Sequence, residues 1–306
     1  MDTPKPEFKA EYYGPRYWST WLLIGFMRLI AALPYPVQQA LGTALGKLLY
    51  KLGGKRKSIA EDNIRACFPE LDEQQQAQLV RETFVANAKG YVECCIAWWC
   101  PIRPFADKMI VEGLDLVNEA RARGKGILLF GGHFSILDFA LPLIAAATPV
   151  GYMYRPSDNP LMDTIIERSR RKFCTGAFTK FQMKEMIRYI KQNKMVWYAM
   201  DQDMGAKNSI FAPFFGVPAA TLATLGWLAR SSGAQPMFLS QFRDGDGVYR
   251  ICFRNVPDFP TDDNVENATI LNRVLEEEIR RYPAQYLWLH RRFKTRPEGA
   301  ERFYTK

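Results

Sequence analysis

The sequence predicts an α/β protein in which helices flank a mostly parallel central sheet, with an apolar helical segment at the N-terminus. Two observations carry this prediction: short β-like runs alternate with helical stretches after residue 100, and apolar helical patterns precede them. Strands that alternate with helices usually pair in parallel, since each helix crosses back over the sheet. With 306 residues, 48% of them apolar, the chain has enough material for one large core.

Two apolar segments open the chain, Tyr17 to Leu33 and Val37 to Leu52, and the second is followed by the basic cluster Lys55 to Lys57. A membrane span needs about 20 apolar residues, and Arg28 would lie badly at mid-bilayer. We therefore expect the first helix to insert shallowly into a membrane surface, with a single span as the alternative.

Aromatic residues crowd the start of the first apolar segment, as they do at membrane interfaces. An ordinary amphipathic helix packed on the globular body is the other interpretation. Basic residues after the second segment suit an anionic leaflet. We place the boundary of this membrane-associated unit at residues 1–53, with a second unit at 54–306. The aromatic residues are Tyr12, Tyr13, Tyr17, Trp18 and Trp21.

The remaining elements follow from hydrophobic periodicity. A long helix is predicted from Gln74 to Trp99 and a charged amphipathic helix from Asn264 to Arg281. The predicted strands are Ile127 to Phe130, Val150 to Tyr154, Met195 to Met200, Pro236 to Phe242 and Tyr249 to Val256. The helical patterns between them are Leu137 to Ala147, Leu161 to Lys172, Lys184 to Gln192 and Thr221 to Ser231.

The charge balance limits the classes of partner that the protein is expected to bind. The chain has 41 Lys and Arg against 32 Asp and Glu, a net charge of +9. Nucleic acid, an anionic membrane and an acidic carrier protein would all suit this charge. Because no nucleic-acid-reading motif accompanies the charge, we expect no nucleic acid partner.

The six cysteines show no repeated Cys-x-x-Cys spacing with histidine neighbours, so neither a zinc site nor a disulfide framework is predicted. Cys94, Cys95 and Cys100 lie beside Trp98 and Trp99. Burial of these thiols as small hydrophobic side chains is favoured over metal binding.

The chemistry centres on His133, one of only two histidines. It follows the apolar run Ile127 to Phe130 through two glycines, and four residues separate it from Asp138. Ligands of open α/β sheets bind beyond the carboxyl ends of strands, and glycine lets the backbone approach a substrate. We predict that His133 is a general base and that Asp138 reaches back to orient its imidazole. A structural histidine at a strand end is the alternative.

Other polar residues follow predicted strands. Arg155 suits bidentate binding of a phosphate, although an ion pair with Asp158 or Asp163 would also explain it. Asp201 and Asp203 have the chemistry of a magnesium site, yet scaffolding of Arg155 and nearby amides is favoured, so no metal is predicted.

Two segments in the C-terminal third of the chain can each be interpreted as either functional or structural. The segment Phe211 to Thr221, rich in aromatic residues and proline, would line an acyl groove or simply fill the core. The basic tail that contains Arg291, Arg292, Lys294 and Arg296 would meet a carrier protein or lipid phosphates, or form a solvated face. His290 is interpreted as structural.

The His-x₄-Asp arrangement resembles the signature of the glycerolipid acyltransferase superfamily, and the surrounding sequence is closest to the late acyltransferases of lipid A biosynthesis in Gram-negative bacteria. The resemblance covers nearly the whole chain. Met200 stands where that family more often has proline, which concerns the local turn more than the chemistry. The stretches that carry the resemblance are Pro15 to Trp18, Asn63 to Pro69, the His133 box, Tyr154 to Pro160, Trp197 to Asp203 and Gln285 to Gly299.

The resemblance implies a glycerolipid-acyltransferase-like fold and transfer of an acyl chain to the hydroxyl of a 3-hydroxyacyl group on a Kdo-bearing lipid A precursor. Acyl carrier protein is the implied donor and co-substrate, with no cofactor and no acyl-enzyme. His133 would deprotonate the hydroxyl, with Asp138 orienting it, and residues 54–306 would form the catalytic domain. The C-terminal stretch and the Asp-x-Asp segment favour the lauroyl-type member. The residues predicted to bind substrate are Arg155, Asp201, Asp203, Arg291 and Arg292.

The implied location is the inner membrane, with the catalytic domain facing the cytoplasm. One alternative is a glycerophospholipid acyltransferase with the same dyad, but its Gly-Thr-Arg-type phosphate block is absent where Met200 to Gly205 stands. A second alternative is a membrane-surface binding protein without catalytic activity, whose function would not depend on His133.

Overall fold

The computed structural model describes residues 6–245 and 247–304. In chain order, the helices are α1 (Trp18–Ala31), α2 (Tyr35–Leu52), α3 (Lys55–Cys67), α4 (Glu73–Trp99), α5 (Arg103–Ala106), α6 (Leu114–Ala122), α7 (Leu137–Ala147), α8 (Pro160–Arg170), α9 (Met183–Ile190), α10 (Leu225–Ser232) and α11 (Asn264–Arg281). The strands are β1 (Ile110–Glu112), β2 (Ile127–Gly131), β3 (Gly151–Tyr154), β4 (Gly176–Thr179), β5 (Met195–Ala199), β6 (Ser209–Phe214), β7 (Val217–Leu222), β8 (Gln235–Gly245) and β9 (Val248–Asn255).

Seven strands form the central sheet in the order β1-β9-β8-β2-β5-β3-β4. The block from β8 to β4 is parallel, whereas β9 returns antiparallel to β8 and β1 pairs parallel with β9. The carboxyl ends of five neighbouring strands therefore meet at one edge of the sheet. The prediction of a mostly parallel sheet is confirmed.

A hydrophobic core lies on each face of the sheet, because successive side chains of a strand point to opposite faces. Leu128 and Phe130 of β2 belong to one core, and Ile127 and Leu129 belong to the other. All four side chains are almost fully buried. Such an unbroken apolar run is typical of a central parallel strand covered on both faces.

The structure differs from the sequence prediction around Phe211 to Thr221. This segment forms the antiparallel hairpin β6–β7, with Phe215 and Gly216 at positive φ in its turn. The predicted helix from Thr221 to Ser231 begins only at Leu225, as α10. Strands β1 and β4 were also not predicted, since runs of three and four residues carry too little periodicity to be recognised.

The two N-terminal helices contact the rest of the fold through small and polar residues. Gly42 and Gly46 of α2 lie against α4, where a Cβ at position 46 would come within 2.5 Å of the Val85 Cα atom. Gln38 donates from its Nε2 to the carbonyls of Ile30, Ala31 and Leu33, and so closes the end of α1. These contacts fix α1 and α2 on the body of the protein.

The opposite faces of α1 and α2 expose large apolar side chains. Among residues 6–245 and 247–304, no helix is long and apolar enough to cross a bilayer. Tyr12 and Tyr17 are buried, although both belong to the aromatic group predicted to lie at a membrane interface. The exposed set comprises Trp18, Leu22, Leu23, Phe26, Leu29, Val37, Leu41, Leu45, Leu48, Leu49 and Leu52, hereafter the apolar face.

Candidate active site

His133 lies directly beyond the carboxyl end of β2, and its imidazole is held by Asp201, which lies just beyond the adjacent strand β5. The Nδ1 atom of His133 is 2.6 Å from Oδ1 of Asp201, and the backbone N–H of His133 donates to Oδ2 at 2.9 Å. A carboxylate only accepts hydrogen bonds, so Nδ1 carries the hydrogen. The lone pair on Nε2 is then left to take a proton from a substrate.

Electrostatics stabilise the charged forms of both partners. Burial alone would lower the pKa of His133, but the charge and hydrogen bond of Asp201, together with the charge of Asp138, outweigh it and raise that pKa above its ordinary value. Burial opposes the ionised form of Asp201, yet His133 and Arg292 together lower its pKa to about 2. Asp201 is therefore a carboxylate at neutral pH, and the pair favours an imidazolium on His133.

The structure gives His133 a different carboxylate from the one predicted. Asp138 lies at the start of α7, where its Oδ1 accepts from Nε of Arg170 at 2.7 Å and lies 2.6 Å from Nη2. Arg170 ends α8 and is 32 residues away along the chain. The hydrogen bond expected between Asp138 and the imidazole is replaced by this ion pair, because Asp201 already binds Nδ1 of His133 and Arg170 binds the Asp138 carboxylate. Asp138 still acts on His133 through its charge.

A cavity of about 670 Å³ opens at this edge of the sheet. His133, Asp138 and Arg170 line it together with apolar and aromatic side chains from α7 and from the parallel strands. A largely apolar cavity with a few convergent polar groups is the usual form of a small-molecule site. The apolar part of the lining includes Leu137, Ala140, Leu141, Ile144, Trp197 and Leu239.

Arg155 lies at the mouth of this cavity, after β3. Its side chain is 75% exposed and pairs with Asp158 at 3.0 Å, which is one of the two ion pairs considered from the sequence. Lys180, which follows β4, also lines the cavity. Two cations at the mouth therefore lie where an anionic part of a substrate would enter.

Asp203 holds the C-terminal segment. Its carboxylate accepts from the backbone N–H and the hydroxyl of Thr295, and its own backbone N–H donates to Nε2 of His290 at 3.2 Å. Burial lowers the pKa of His290, so this ring remains neutral and acts as an acceptor. Asn63 of α3 donates to the carbonyls of Trp288 and His290, which secures the same segment from the other side.

The two adjacent arginines of the basic tail differ in environment. Arg292 is only 1% exposed, and it donates to the carbonyl of Ala220 and to the hydroxyl of Thr221 in β7. Its charge also lowers the pKa of Asp201. Arg291 lies over the ring of Tyr304, 5.6 Å from its centroid. Arg292 therefore acts on Asp201 through its charge and does not line the cavity.

Two site residues could hardly be recognised from the sequence. Asp201 lies 68 residues from its partner His133 along the chain, and Arg170 lies 32 residues from its partner Asp138. The only sequence signal was the position of Asp201 after a predicted strand, which we interpreted as scaffolding or substrate binding. Arg170 lies near the end of the helix predicted from Leu161 to Lys172, and no pattern distinguishes it.

Potential metal ligands do not cluster in the described part of the chain: it contains no group of three or more His, Cys, Asp or Glu side chains suited to a metal ion. The carboxylate of Asp201 accepts hydrogen bonds from His133, and that of Asp203 accepts hydrogen bonds from Thr295 and Gly205. All six thiols are free, and Cys67, Cys95 and Cys252 are buried.

Comparison with known proteins identifies the family. The profile of the bacterial lipid A biosynthesis acyltransferases matches residues 5–295. The chain is 38% identical to a lipid A biosynthesis lauroyltransferase of Escherichia coli K12, over 99% of this chain and 100% of that protein. It is 35% identical to a palmitoleoyltransferase of the same strain, over 98% and 99%. A myristoyltransferase of that strain is 29% identical, over 96% and 92%. The chain therefore belongs to the bacterial lipid A biosynthesis acyltransferase family and is an acyltransferase.

Proposed function

We propose that the protein transfers a lauroyl chain from acyl carrier protein to the hydroxyl of a 3-hydroxyacyl group on a Kdo-bearing lipid A precursor. The observation that carries this proposal is the His133–Asp201 pair in the wall of a largely apolar cavity of about 670 Å³. A base and an acyl-sized apolar space in one cavity are what direct acyl transfer requires. The 38% identity to a lauroyltransferase favours laurate among the possible acyl chains.

In this mechanism His133 takes the proton of the acceptor hydroxyl on Nε2 while that oxygen attacks the thioester carbonyl. Asp201 keeps the hydrogen on Nδ1 and stabilises the imidazolium. Asp138 adds a second negative charge that favours the imidazolium, so its catalytic role is electrostatic rather than orienting. The imidazolium then protonates the departing thiolate, and no acyl-enzyme forms.

The proposed contacts with the two substrates follow from the cavity mouth. Arg155 and Lys180 suit a phosphate, either on the lipid A precursor or on the phosphopantetheine arm of the carrier. Asp203 and Arg292 support this edge from within, whereas Arg291 remains a candidate for contact with the carrier or with lipid phosphates. The thioester supplies the activated acyl group, so the reaction needs no cofactor and should proceed in the presence of a chelator.

We also propose that the protein acts at the cytoplasmic surface of the inner membrane. The apolar face on α1 and α2 would enter the cytoplasmic leaflet at the boundary between its head groups and acyl chains. The basic residues Lys55 to Lys57 would contact anionic head groups. Leu22 and Leu29 are 76% and 70% exposed, which is costly in water and favourable in lipid. This placement would bring the lipid acceptor and the cavity to the same surface.

The first test is transfer of labelled laurate from acyl carrier protein to the Kdo-bearing tetraacyl lipid A precursor. Wild type and His133→Ala are compared after their unfolding curves show that both are folded. Transfer by wild type and a fall of at least about 10² in the variant are expected. Myristoyl and palmitoleoyl carrier proteins, offered in competition, test the choice of laurate.

Unchanged activity in a folded His133→Ala variant would overturn the assignment of the base. Transfer to glycerophospholipid and not to the lipid A precursor would overturn the proposed acceptor. Absence of transfer with every donor and acceptor offered would overturn both proposed substrates.

A further inference from the structure

Gln241 is a buried amide beside the proposed base. It belongs to β8, the neighbour of β2, and the parallel register pairs Leu239 with Gly131. Gln241 lies two residues beyond Leu239, just as His133 lies two residues beyond Gly131. Gln241 and His133 both line the cavity, and Gln241 is only 1% exposed.

The amide of Gln241 has unmet hydrogen-bonding capacity. Its Nε2 donates to the carbonyl of Gly132 at 3.5 Å, a long contact, and its Oε1 has no partner among residues 6–245 and 247–304. A primary amide offers two N–H donors and two acceptor lone pairs. Burying it with so few partners is unfavourable compared with an apolar side chain of the same size. A ligand that supplies an acceptor for the second N–H and a donor for Oε1 would remove that cost.

Acyl transfer creates such a polar atom. When the hydroxyl oxygen attacks the thioester, the carbonyl electron pair moves onto oxygen, and enzymes stabilise that oxyanion with N–H donors. The backbone N–H groups after Gly132 are already committed: His133 donates to Asp201, Phe134 to Gly132 and Ser135 to Gln285. A side chain that lines the cavity can supply the donor instead.

The side chains that line the cavity include several buried or half-buried donors: Arg170, Gln241, Tyr152 and Trp197. Arg170 is engaged with Asp138 through its Nε and Nη2 atoms, so its charge is already balanced. Gln241 contacts the residue that precedes His133 and has a second N–H to offer. The attacking hydroxyl must bind His133, and Gln241 borders the same cavity on the adjacent strand. We therefore place the carbonyl oxygen of the thioester beside Gln241.

We infer that Gln241 is a catalytic residue that donates an amide N–H to the carbonyl oxygen of the thioester and to the oxyanion of the tetrahedral intermediate. This inference rests on the proposed function, in which His133 accepts the proton. A carbon–oxygen bond forms as the proton passes to His133. The oxyanion held by Gln241 then re-forms the carbonyl, the carbon–sulfur bond breaks, and the thiolate takes the proton back from His133.

The test compares kcat and KM of Gln241→Met and Gln241→Glu with wild type. Met keeps the length without an N–H, and Glu keeps an oxygen acceptor while removing both donors. The matched control is Gln235→Met, the same substitution on the same strand at the end remote from His133. All variants are first checked for folding by thermal unfolding. The pH dependence of kcat/KM is recorded to follow His133.

Both Gln241 variants should lose about 10² to 10³ in kcat with little change in KM, and the acid limb of Gln241→Met should stay where it is in wild type. The control should retain wild-type kcat. An unchanged kcat in Gln241→Met would overturn the inference. So would retained activity in Gln241→Glu, which would make the amide an acceptor, or a shifted acid limb, which would mean that Gln241 only positions His133.

The result is separable from the proposed function, because His133→Ala tests the base on its own. If wild type prefers another acyl donor or another acceptor, the proposed substrates are wrong, and the Gln241 variants are compared with the substrates that wild type turns over. Loss of transfer in His133→Ala with no effect in Gln241→Met would uphold the base and reject Gln241.

Discussion

Asp201 binds both the backbone N–H and the imidazole of His133, so one carboxylate fixes the position of the residue and the tautomer of its ring. Asp138 occupies a different environment, in an ion pair with Arg170. The two carboxylates near His133 therefore have separable roles. The first orients the ring, and the second adjusts the charge that the ring experiences.

Asp201→Asn should abolish most transfer activity. The amide offers an N–H to Nδ1, which moves the hydrogen to Nε2 and removes the lone pair that acts as base. We expect a fall of about 10² to 10⁴ in kcat/KM, measured with the transfer assay. Asp138→Asn should cost less, and Asp107→Asn, on the exposed surface, serves as the control. Retained activity in Asp201→Asn together with loss in Asp138→Asn would make Asp138 the working partner of the imidazole.

The acid limb of the kcat/KM profile should lie at a higher pH than an unperturbed histidine would give. His133 must be neutral to act as base, and its pKa is raised, so activity falls as the pH drops through that raised value. Removal of the negative charge in Asp138→Asn lowers the pKa of His133 and should move the limb to lower pH. Profiles of both proteins check this. An upward shift in Asp138→Asn would contradict the charge argument.

At the scale of elements, the close approach of α2 to α4 depends on glycine. A Cβ on Gly46 would lie 2.8 Å from the carbonyl oxygen of Phe84 as well as 2.5 Å from the Val85 Cα atom. Both atoms belong to the backbone of α4, which cannot move as a side chain can. The register between the two helices is therefore fixed by the absence of a side chain.

Gly46→Ala should lower the free energy of unfolding by about 1–3 kcal/mol, because the helices must separate to admit the methyl group. Gly25→Ala on α1 is the matched control, since a Cβ there meets nothing within 4 Å. That substitution should be neutral or stabilising by up to about 1 kcal/mol, given the helix propensity of alanine. Urea unfolding of both variants measures the difference. Equal stability of the two would show that α2 is not packed as described.

At the scale of the whole molecule, the apolar face of α1 and α2 is connected to the part of the fold that contains the candidate active site. Asn159 links the two regions: it caps α8 and donates from Nδ2 to Thr20 of α1 at 2.9 Å. The helix that ends at Arg170 is thus attached directly to α1. Binding of α1 to a lipid surface would set the orientation of the active-site edge relative to that surface.

Leu22→Asp and Leu29→Asp should each weaken binding to anionic phospholipid vesicles by about tenfold or more. Each substitution removes a leucine whose transfer from water stabilises binding by about 1.5–3 kcal/mol, and it adds a repelling charge. Val265→Asp is the control, since Val265 is an exposed apolar residue on α11, outside the apolar face. Vesicle co-sedimentation measures binding. Equal binding by all three variants would reject the apolar face as the membrane contact.

Much of the fold could be predicted from the sequence because its signals are local. The apolar run before His133 predicted β2, and the periodicity of Asn264 to Arg281 predicted α11 with the observed bounds. The hairpin β6–β7 was missed because its pairing depends on the turn at Phe215 and Gly216, and its aromatic residues fit a strand, a core segment or a groove.

Sequence patterns alone predict the alternation of helices with five of the nine strands in the described residues, the candidate base at the end of β2 and the resemblance to a family of acyltransferases. The folded chain was needed to show that Asp201 binds His133 and that Arg170 neutralises Asp138. It was also needed to show that Arg292 is buried and lowers the pKa of Asp201. The reason is physical. Periodicity and turn chemistry act over a few residues, whereas the register of β2 against β5 and β8 brings together groups that are distant along the chain.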